Sequence, residues 1–209
     1  YWRDWSSDVC SSDLALTLVD SSTRYKYADP NNLGIAENQQ FDPHSPYGCS
    51  KGAADKYLTD YHRSFGVDTV VLRQSCIYGR RQFGIEDQGW IAWFMISALQ
   101  GKKVTVYGDG KQVRDALFVD DLCELYLKLA NKKELRTRVF NVGGGARNAI
   151  SVIELLEWLK KNLAPSLNWL FGPERLGDQK IFISDNSALR SEIGWNPQTE
   201  LETGLRAIW

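Results

Sequence analysis

Histidine and cysteine are scarce in this chain of 209 residues, and its sequence contains no metal-binding pattern. There are two histidines and four cysteines, and no two cysteines form a CxxC pair. The cysteines are Cys10, Cys49, Cys76 and Cys123. Zinc sites generally take their ligands from closely spaced cysteines and histidines. We therefore expect no metal site, and the isolated cysteines are typical of reduced thiols in a cytoplasmic protein.

The chain also lacks a large excess of charge and long apolar runs. Its formal net charge is −1, from 25 Lys and Arg residues against 26 Asp and Glu residues. This balance gives no reason to expect nucleic acid or an anionic membrane as a partner. No apolar run approaches the roughly 20 residues that a membrane-spanning helix needs. The composition, with 43% hydrophobic residues, is that of a globular protein.

The first residues of the chain have no periodicity that would indicate a helix or a strand. Residues 4–14 read DWSSDVCSSDL, which is the translation of a common sequencing adapter. We therefore interpret residues 1–14 as an artefact and exclude them from the fold prediction. We expect the native protein to continue upstream of Ala15 with a different sequence.

The rest of the chain alternates between strand and helix patterns, which predicts an α/β fold with a parallel sheet. ALTLVDSS (15–22) predicts a buried strand that ends at Ser21, and VDTVVLRQS (67–75) predicts a second one. Between them, Ser45 and Pro46 fit the start of a helix that Gly66 would end. The pattern is a regular βαβ alternation before Gly84 and becomes shorter and more mixed after it. We therefore predict the C-terminal half of one domain over 15–84, and over 85–209 mainly a substrate domain, interleaved with returning elements of the first.

Further helices are predicted after residue 84. They are expected near 90–99, 119–130, 152–163, 185–193 and 201–209. Ser151 and Glu154 have the spacing of a capping box at the start of the helix predicted over 152–163. Asp120 or Asp121 would cap the helix predicted over 119–130. The turn in FNVGGG (140–145) is predicted to be structural, since no helix with a dinucleotide-binding spacing follows it directly.

Tyr47 and Lys51 are the first candidates for chemistry. Residues four apart on a helix share a face, so the phenol and the ammonium should lie together. An ammonium beside a phenol favours the phenolate, and the nearby helix N-terminus acts in the same direction. Such a phenol can take a proton from an alcohol and return it.

The strand-end segment SSTRYKYAD (21–29) adds the hydroxyl of Thr23 to this pair. The combination resembles the Ser/Thr–Tyr–Lys triad of the extended short-chain dehydrogenase/reductase family, in particular its NAD-dependent nucleotide-sugar epimerases and dehydratases. The resemblance implies the C-terminal part of a Rossmann-type doubly wound parallel sheet, with a smaller mixed α/β substrate domain. It also implies NAD as cofactor, Thr23, Tyr47 and Lys51 as the catalytic residues, and contacts of Tyr47, Lys51 and Ile77 with the cofactor.

Three other segments carry the same resemblance. They are GDGKQVRDALFVDDL (108–122), ERLGDQKIFISD (174–185) and RQSCIYGRRQFG (73–84). The resemblance implies that Arg114 and Arg175 bind the diphosphate of a nucleotide sugar and that Asp178 lies near its ribose. It also makes Cys76 and Gln88 substrate-binding candidates, with Tyr78 as a further residue of the site. Taken on its own, Arg114 is better explained as a surface arginine paired with Asp115, and Cys76 fits equally well as a small buried filler.

The resemblance favours an epimerase. The dehydratases of the family place an Asp-Glu pair after the strand-end Thr, whereas Arg24 and Tyr25 follow Thr23 here. The segment EDQGW (86–90) favours the 2-epimerases of CDP-3,6-dideoxyhexoses within the family. Two alternatives stay open, another nucleotide-sugar 4-epimerase or 4,6-dehydratase and a non-catalytic module that binds a sugar nucleotide.

One expected motif is missing from the sequence. No G-x-G-x-x-G occurs in the 209 residues, although this pattern normally holds a dinucleotide pyrophosphate. We therefore expect the chain to be a C-terminal fragment that is inactive by itself. The family resemblance further implies a homo-oligomer that pairs through helices such as 46–65.

Overall fold

The computed structural model describes residues 17–32, 34–39, 46–132, 134–136, 138–175 and 178–209. The strands are β1 (Leu18–Asp20), β2 (Tyr25–Tyr27), β3 (Val71–Gln74), β4 (Cys76–Tyr78), β5 (Val104–Tyr107), β6 (Val113–Phe118), β7 (Val139–Val142), β8 (Ala149–Ser151), β9 (Trp169–Gly172) and β10 (Ile181–Phe182). The helices are α1 (Pro46–Phe65), α2 (Trp90–Leu99), α3 (Val119–Ala130), α4 (Val152–Asn162), α5 (Ser187–Ile193) and α6 (Leu201–Ile208). The adapter-like residues 1–14 and the predicted cap Ser45 lie outside the described residues.

Parallel pairing dominates the sheets, which confirms the predicted α/β class. β3 pairs with β7, β4 and β10 pair with β6, and β5 pairs with β9, all in parallel. β8 pairs antiparallel with β6. None of the helices in the described part of the chain is both long enough and apolar enough to cross a membrane.

The strand that was predicted over 67–75 begins later in the structure, at Val71, and the extended segment continues past Ser75 into β4. At Ser75 it changes partner, from β7 on the β3 side to β6 on the β4 side. The amide of Ser75 donates to Val142 O at 2.8 Å, and its hydroxyl donates to Asp115 O at 3.0 Å. One extended segment therefore links the two parallel pairs.

Two large apolar clusters make up much of the core in the described part of the chain. The first contains buried residues of β4, α2, β5, β6, β8, α4 and α6, among them Phe94, Leu155 and Leu156. The second lies between β6, β7, α3 and α5, around Phe140 and Trp195. Both α3 and α4 begin directly after a strand, β6 and β8 respectively, so they pack against the sheet that they follow.

The first predicted strand differs most from expectation. β1 pairs antiparallel with β2 in a short hairpin, and Val19 is 50% exposed instead of buried. Leu18, Tyr25 and Tyr27 pack against the edge of the sheet formed by β6, β8 and β10. Lys111 also holds the hairpin, since its ammonium lies 2.8 Å from Asp20 Oδ1. These contacts explain why β1 does not extend the parallel sheet.

The helix ends follow the sequence in part. Ser151 and Glu154 form the predicted capping box of α4, and Gly194 ends α5 with φ 67°. The predicted cap of α3 is wrong, because within the described residues no side chain caps its start. The carboxylate of Asp121 instead accepts the backbone N–H groups of Gln198 and Thr199, at 3.2 and 2.9 Å, and so fixes the segment before α6.

The glycine turn after β7 is structural, as predicted. It closes around the carboxylate of Asp115, which accepts the N–H of Gly145 at 2.9 Å and that of Ser184 at 3.0 Å. A Cβ atom at Gly143 would overlap this carboxylate. Burial raises the pKa of Asp115, and these hydrogen bonds together with the Ser75 hydroxyl offset part of the rise.

Candidate functional site

Tyr47 and Lys51 lie side by side at the start of α1. The Lys51 ammonium is 5.5 Å from the centre of the Tyr47 ring, and both side chains are half-buried. The spacing of four therefore brings the phenol and the ammonium together on one face of the helix, as predicted. The neighbouring Gly48 and Gly52 are buried, which indicates close packing of this part of the helix.

A buried ion pair fixes α1 one turn further along. Arg73 Nε donates to Asp55 Oδ2 at 2.6 Å, and the two side chains are 9% and 5% exposed. The guanidinium also donates to Glu37 O at 3.2 Å. Because Arg73 belongs to β3, this pair connects the helix that carries Tyr47 directly to the parallel sheet.

Thr23 contacts the start of α4. Its hydroxyl donates to Glu154 Oε1 at 2.9 Å, and its carbonyl accepts the Ser151 hydroxyl at 2.7 Å. Arg24 also pairs with Glu154. The β1–β2 hairpin thus carries Thr23 to the start of α4. The hydroxyl proton of Thr23 is donated to Glu154 and not to the phenolic oxygen of Tyr47.

The environment of Glu154 stabilises its charged form. Burial raises the pKa of this carboxyl, but hydrogen bonds from Arg24, the Ser151 amide and the Thr23 hydroxyl outweigh it, so the pKa is below its ordinary value. Glu154 is therefore a carboxylate at neutral pH, and it holds the hairpin against α4.

A cleft brings together four of the five predicted substrate-binding residues. Gln88, Arg114, Arg175 and Asp178 all line it, although they are spread over residues 88–178 of the sequence. Its other lining residues come mainly from the turn before α2, from α2 itself and from β5. They are Glu86, Asp87, Gly89, Trp90, Phe94, Thr105, Val106, Tyr107, Gln112 and Val152.

Arg114 is a buried cation at the base of this cleft. It is 6% exposed, and its guanidinium donates to Gln179 O at 2.7 Å and to Val113 O at 2.9 Å. Asp178 Oδ1 lies 3.3 Å from Nη2. The alternative that Arg114 is a surface residue paired with Asp115 is therefore wrong, because Asp115 is turned towards the glycine turn.

Arg175 lies in the segment that follows β9, and its guanidinium lies over the ring of Tyr107. The guanidinium carbon is 3.9 Å from the centre of the Tyr107 ring, which is a close cation–π contact. Arg175 Nη2 also lies 2.8 Å from Asp87 Oδ1. The Tyr107 hydroxyl donates to Glu86 Oε1 at 3.0 Å.

Cys76, Ile77 and Tyr78 are not among the residues that line this cleft. The Cys76 sulfur accepts the indole N–H of Trp90 at 3.1 Å, so Cys76 supports the cleft wall from behind. Ile77 packs against the cluster around Phe140 and Trp195. Tyr78 is 1% exposed, and burial raises its pKa. The reason is the change of partner at Ser75, which places β4 inside the core.

Sequence reasoning did not single out Tyr107, Trp90, Glu86 and Asp87. Each of them lies in, or directly before, a segment that carries the family resemblance. Tyr107 directly precedes the GDGKQVRD segment, and the other three lie in EDQGW beside Gln88. An aromatic residue at a strand end beside a predicted phosphate-binding arginine is the signal that could have identified Tyr107.

The cleft combines two guanidinium groups and three carboxylates, those of Glu86, Asp87 and Asp178, with apolar and aromatic side chains. Two guanidinium groups in one cleft are suited to bind a dianion such as a diphosphate, and the rings of Trp90, Phe94 and Tyr107 offer surfaces for an apolar or aromatic group. A cleft with this charge and these aromatic walls is suited to a phosphorylated ligand such as a nucleotide.

The family is established by comparison with known proteins. The sequence model of the NAD dependent epimerase/dehydratase family matches residues 8–143. The chain belongs to this family.

Its curated relatives include epimerases and dehydratases of nucleotide sugars. It is 41% identical to CDP-paratose 2-epimerase of Salmonella typhi over 196 residues, which cover 91% of this chain and 58% of the relative. It is 35% identical to dTDP-glucose 4,6-dehydratase of Actinoplanes sp., with 88% of this chain and 56% of the relative covered. The chain thus spans less than two thirds of the length of these relatives.

Solved structures share the fold. A UDP-glucose 4-epimerase of Thermotoga maritima, in complex with UDP-glucose, superposes with a TM-score of 0.76 at 31% identity, covering 86% of this chain and 57% of that one. A UDP-glucuronic acid 4-epimerase of Bacillus cereus, in complex with UDP-glucuronic acid and NAD, gives a TM-score of 0.76 at 26% identity, with 90% and 58% covered.

Proposed function

We propose that the complete protein is an NAD-dependent epimerase of a nucleotide sugar, acting at C2 of CDP-paratose to give CDP-tyvelose. The observation that carries the proposal is the cleft in which Arg114 and Arg175 lie together with Asp178 and Gln88. The identity of 41% with a CDP-paratose 2-epimerase supports the choice of substrate.

In this proposal the cleft holds the nucleotide part of the substrate. The two guanidinium groups bind the diphosphate, because each can direct two N–H groups at phosphate oxygens. Asp178 accepts a ribose hydroxyl, as the family resemblance implies. The face of Trp90 is available for packing, since its N–H is already satisfied by Cys76.

The residues at the start of α1 fit one end of the cofactor. Tyr47 and Lys51 would hold the nicotinamide ribose, and their neighbouring positions on α1 support this assignment. The 209 residues contain no G-x-G-x-x-G, so these residues account for only part of a dinucleotide site. When bound, NAD would supply the oxidation and the later reduction of the sugar carbon.

The acid–base step belongs to Tyr47. Its phenolic oxygen would accept the proton of the sugar hydroxyl during oxidation and return it during reduction. The Lys51 ammonium favours the phenolate by its positive charge. Thr23 can assist only if its hydroxyl leaves Glu154, because one hydroxyl proton cannot be donated to both.

The residues after Thr23 favour epimerisation over dehydration. Elimination of water needs an additional acid and base, and Arg24 is already paired with Glu154. The hydrogen bond of Tyr25 to Asp109, together with burial, raises the pKa of Tyr25 to about 12. Neither side chain is therefore suited to transfer a proton at neutral pH.

The test is the activity of the complete protein with CDP-paratose and NAD. Tyr47→Phe should remove at least about 99% of the turnover, because general acid–base groups contribute about 10²- to 10⁴-fold. Tyr57→Phe is the matched control, since Tyr57 lies on the same helix and is 67% exposed. It should keep full activity.

Other outcomes would replace the proposal with one of its alternatives. Turnover of UDP-glucose or dTDP-glucose, with none of CDP-paratose, would indicate a 4-epimerase or a 4,6-dehydratase. Binding of CDP without turnover of any of the three sugars would indicate a non-catalytic module. Full activity of Tyr47→Phe would exclude Tyr47 as the acid–base group.

A further inference from the structure

Both arginines of the cleft are paired with carboxylates of the chain itself. Arg114 pairs with Asp178 at 3.3 Å, and Arg175 pairs with Asp87 at 2.8 Å. Asp178 belongs to the same segment as Arg175, whereas Asp87 comes from a distant part of the chain. The Asp87 side chain is 65% exposed, so it can turn into solvent without disturbing the core.

Asp87 reaches the cleft from a tight turn. The amide of Ile85 donates to Gln88 O at 2.9 Å, and the amide of Gln88 donates to Ile85 O at 3.0 Å. Glu86, in the same turn, accepts the Tyr107 hydroxyl. Two acids of one turn therefore hold the arginine and the tyrosine of the opposite wall.

Arg175 does not depend on Asp87 alone for its position. Its guanidinium carbon lies over the Tyr107 ring, 3.9 Å from the ring centre, and this cation–π contact does not need the N–H groups at the edge of the guanidinium. The ring can keep Arg175 in the cleft when the carboxylate leaves. The edge is then available to another anion.

We propose that Asp87 is an internal counterion of the cleft, which pairs with Arg175 until a diphosphate replaces it and so lowers the affinity of the cleft for a diphosphate. The inference rests on the proposed function, since it takes the cleft as the diphosphate site. A diphosphate offers Arg175 more negative charge than one carboxylate and can displace it. An uncharged nucleoside does not compete with Asp87, so Asp87 weakens the binding of a diphosphate and leaves that of a nucleoside unchanged.

The test is calorimetric titration of the chain with inorganic pyrophosphate. Asp87→Asn removes the competing charge and keeps the shape of the side chain. Its affinity for pyrophosphate should rise about two- to fivefold, the range expected for losing one exposed ion pair. Asp120→Asn is the matched control, because Asp120 is 63% exposed and pairs with Arg80 at 3.4 Å outside the cleft.

The result expected is tighter binding for Asp87→Asn and unchanged binding for Asp120→Asn. Three results would overturn the inference: equal or weaker binding by Asp87→Asn, the same gain in both variants, or no pyrophosphate binding by any of the proteins. A parallel titration with CDP tests the proposed function separately. CDP that binds no more tightly than pyrophosphate would contradict a nucleotide site and leave the comparison of the two variants valid.

Discussion

The helix that carries Tyr47 and the helix beside the cleft are held in the fold by different forces. α1 has 20 residues and buries three, Gly48, Gly52 and Asp55. α4 has 11 residues and buries four apolar side chains, those of Val152, Leu155, Leu156 and Leu159. The proposed substrate site therefore rests on an apolar core, whereas the proposed acid–base pair rests on glycine packing and an ion pair.

The difference shows that the two parts of the site need not be equally stable. Segments with few buried apolar contacts open locally at a lower free energy than the core does. On the outer face of α1, Tyr57, Tyr61 and Phe65 are at least half exposed. This helix is the one that we predicted to pair in a homo-oligomer, and that prediction stays untested.

The largest effect is expected from breaking the buried ion pair between Asp55 of α1 and Arg73 of β3. Asp55→Ala leaves the Arg73 guanidinium buried without its carboxylate, which should cost about 3–5 kcal/mol. The loss should appear in hydrogen exchange of the α1 amides. The double variant Asp55→Leu, Arg73→Met should recover most of it, since no buried charge remains. Amide protection in α1 that is unchanged in Asp55→Ala would contradict this account of how the helix is held.

A core substitution in α4 should have a similar or slightly smaller effect, on a different part of the molecule. Leu156 is fully buried, so Leu156→Ala should lower the free energy of unfolding by about 2–5 kcal/mol. Chemical denaturation measures it. Leu127→Ala is the control, because Leu127 is 67% exposed and should change stability by less than about 0.5 kcal/mol. Equal losses in the two variants would mean that α4 is not part of a packed core.

Much of the fold is predictable because local signals and packing agree in it. The capping box at Ser151, the stop at Gly194 and the apolar face of α4 each predict an element that the structure contains. The β1–β2 hairpin is different. Its sequence fits a buried strand, but Arg24 and Tyr25 find partners in Glu154 and Asp109, which are distant in sequence. A local pattern cannot predict such a contact.

The part of the candidate site that could be predicted is the part that depends on single residues of a recognisable motif. Arg114, Arg175, Asp178 and Gln88 were predicted by resemblance and line one cleft. Cys76 was also predicted to bind substrate; it accepts the indole N–H of Trp90 and does not line this cleft, because the change of strand partner at Ser75 sets which way β4 faces. That change depends on Asp115 and Val142, which the strand itself does not specify.

The smallest effect expected is a dependence of stability on pH through Glu154. Its pKa is below the ordinary value in the folded chain, so the unfolded chain binds a proton at higher pH than the folded one. Its stabilising contribution is complete above the unfolded pKa of about 4.3 and disappears as the pH falls through the folded pKa. Denaturation of wild type and Glu154→Gln between pH 7 and pH 3 should show the two stabilities converging on acidification. A difference that does not change with pH would contradict the assignment.

The most direct test of the account is whether Arg175 binds a diphosphate in the cleft. CDP should bind the wild-type chain, and Arg175→Gln should weaken that binding at least about tenfold, since a charged hydrogen-bonded contact is lost. Arg138→Gln removes an arginine of similar exposure, paired with Asp68 at 3.1 Å, and should leave CDP binding unchanged. Equal CDP affinity in wild type and Arg175→Gln would contradict the claim that this cleft is a nucleotide-diphosphate site.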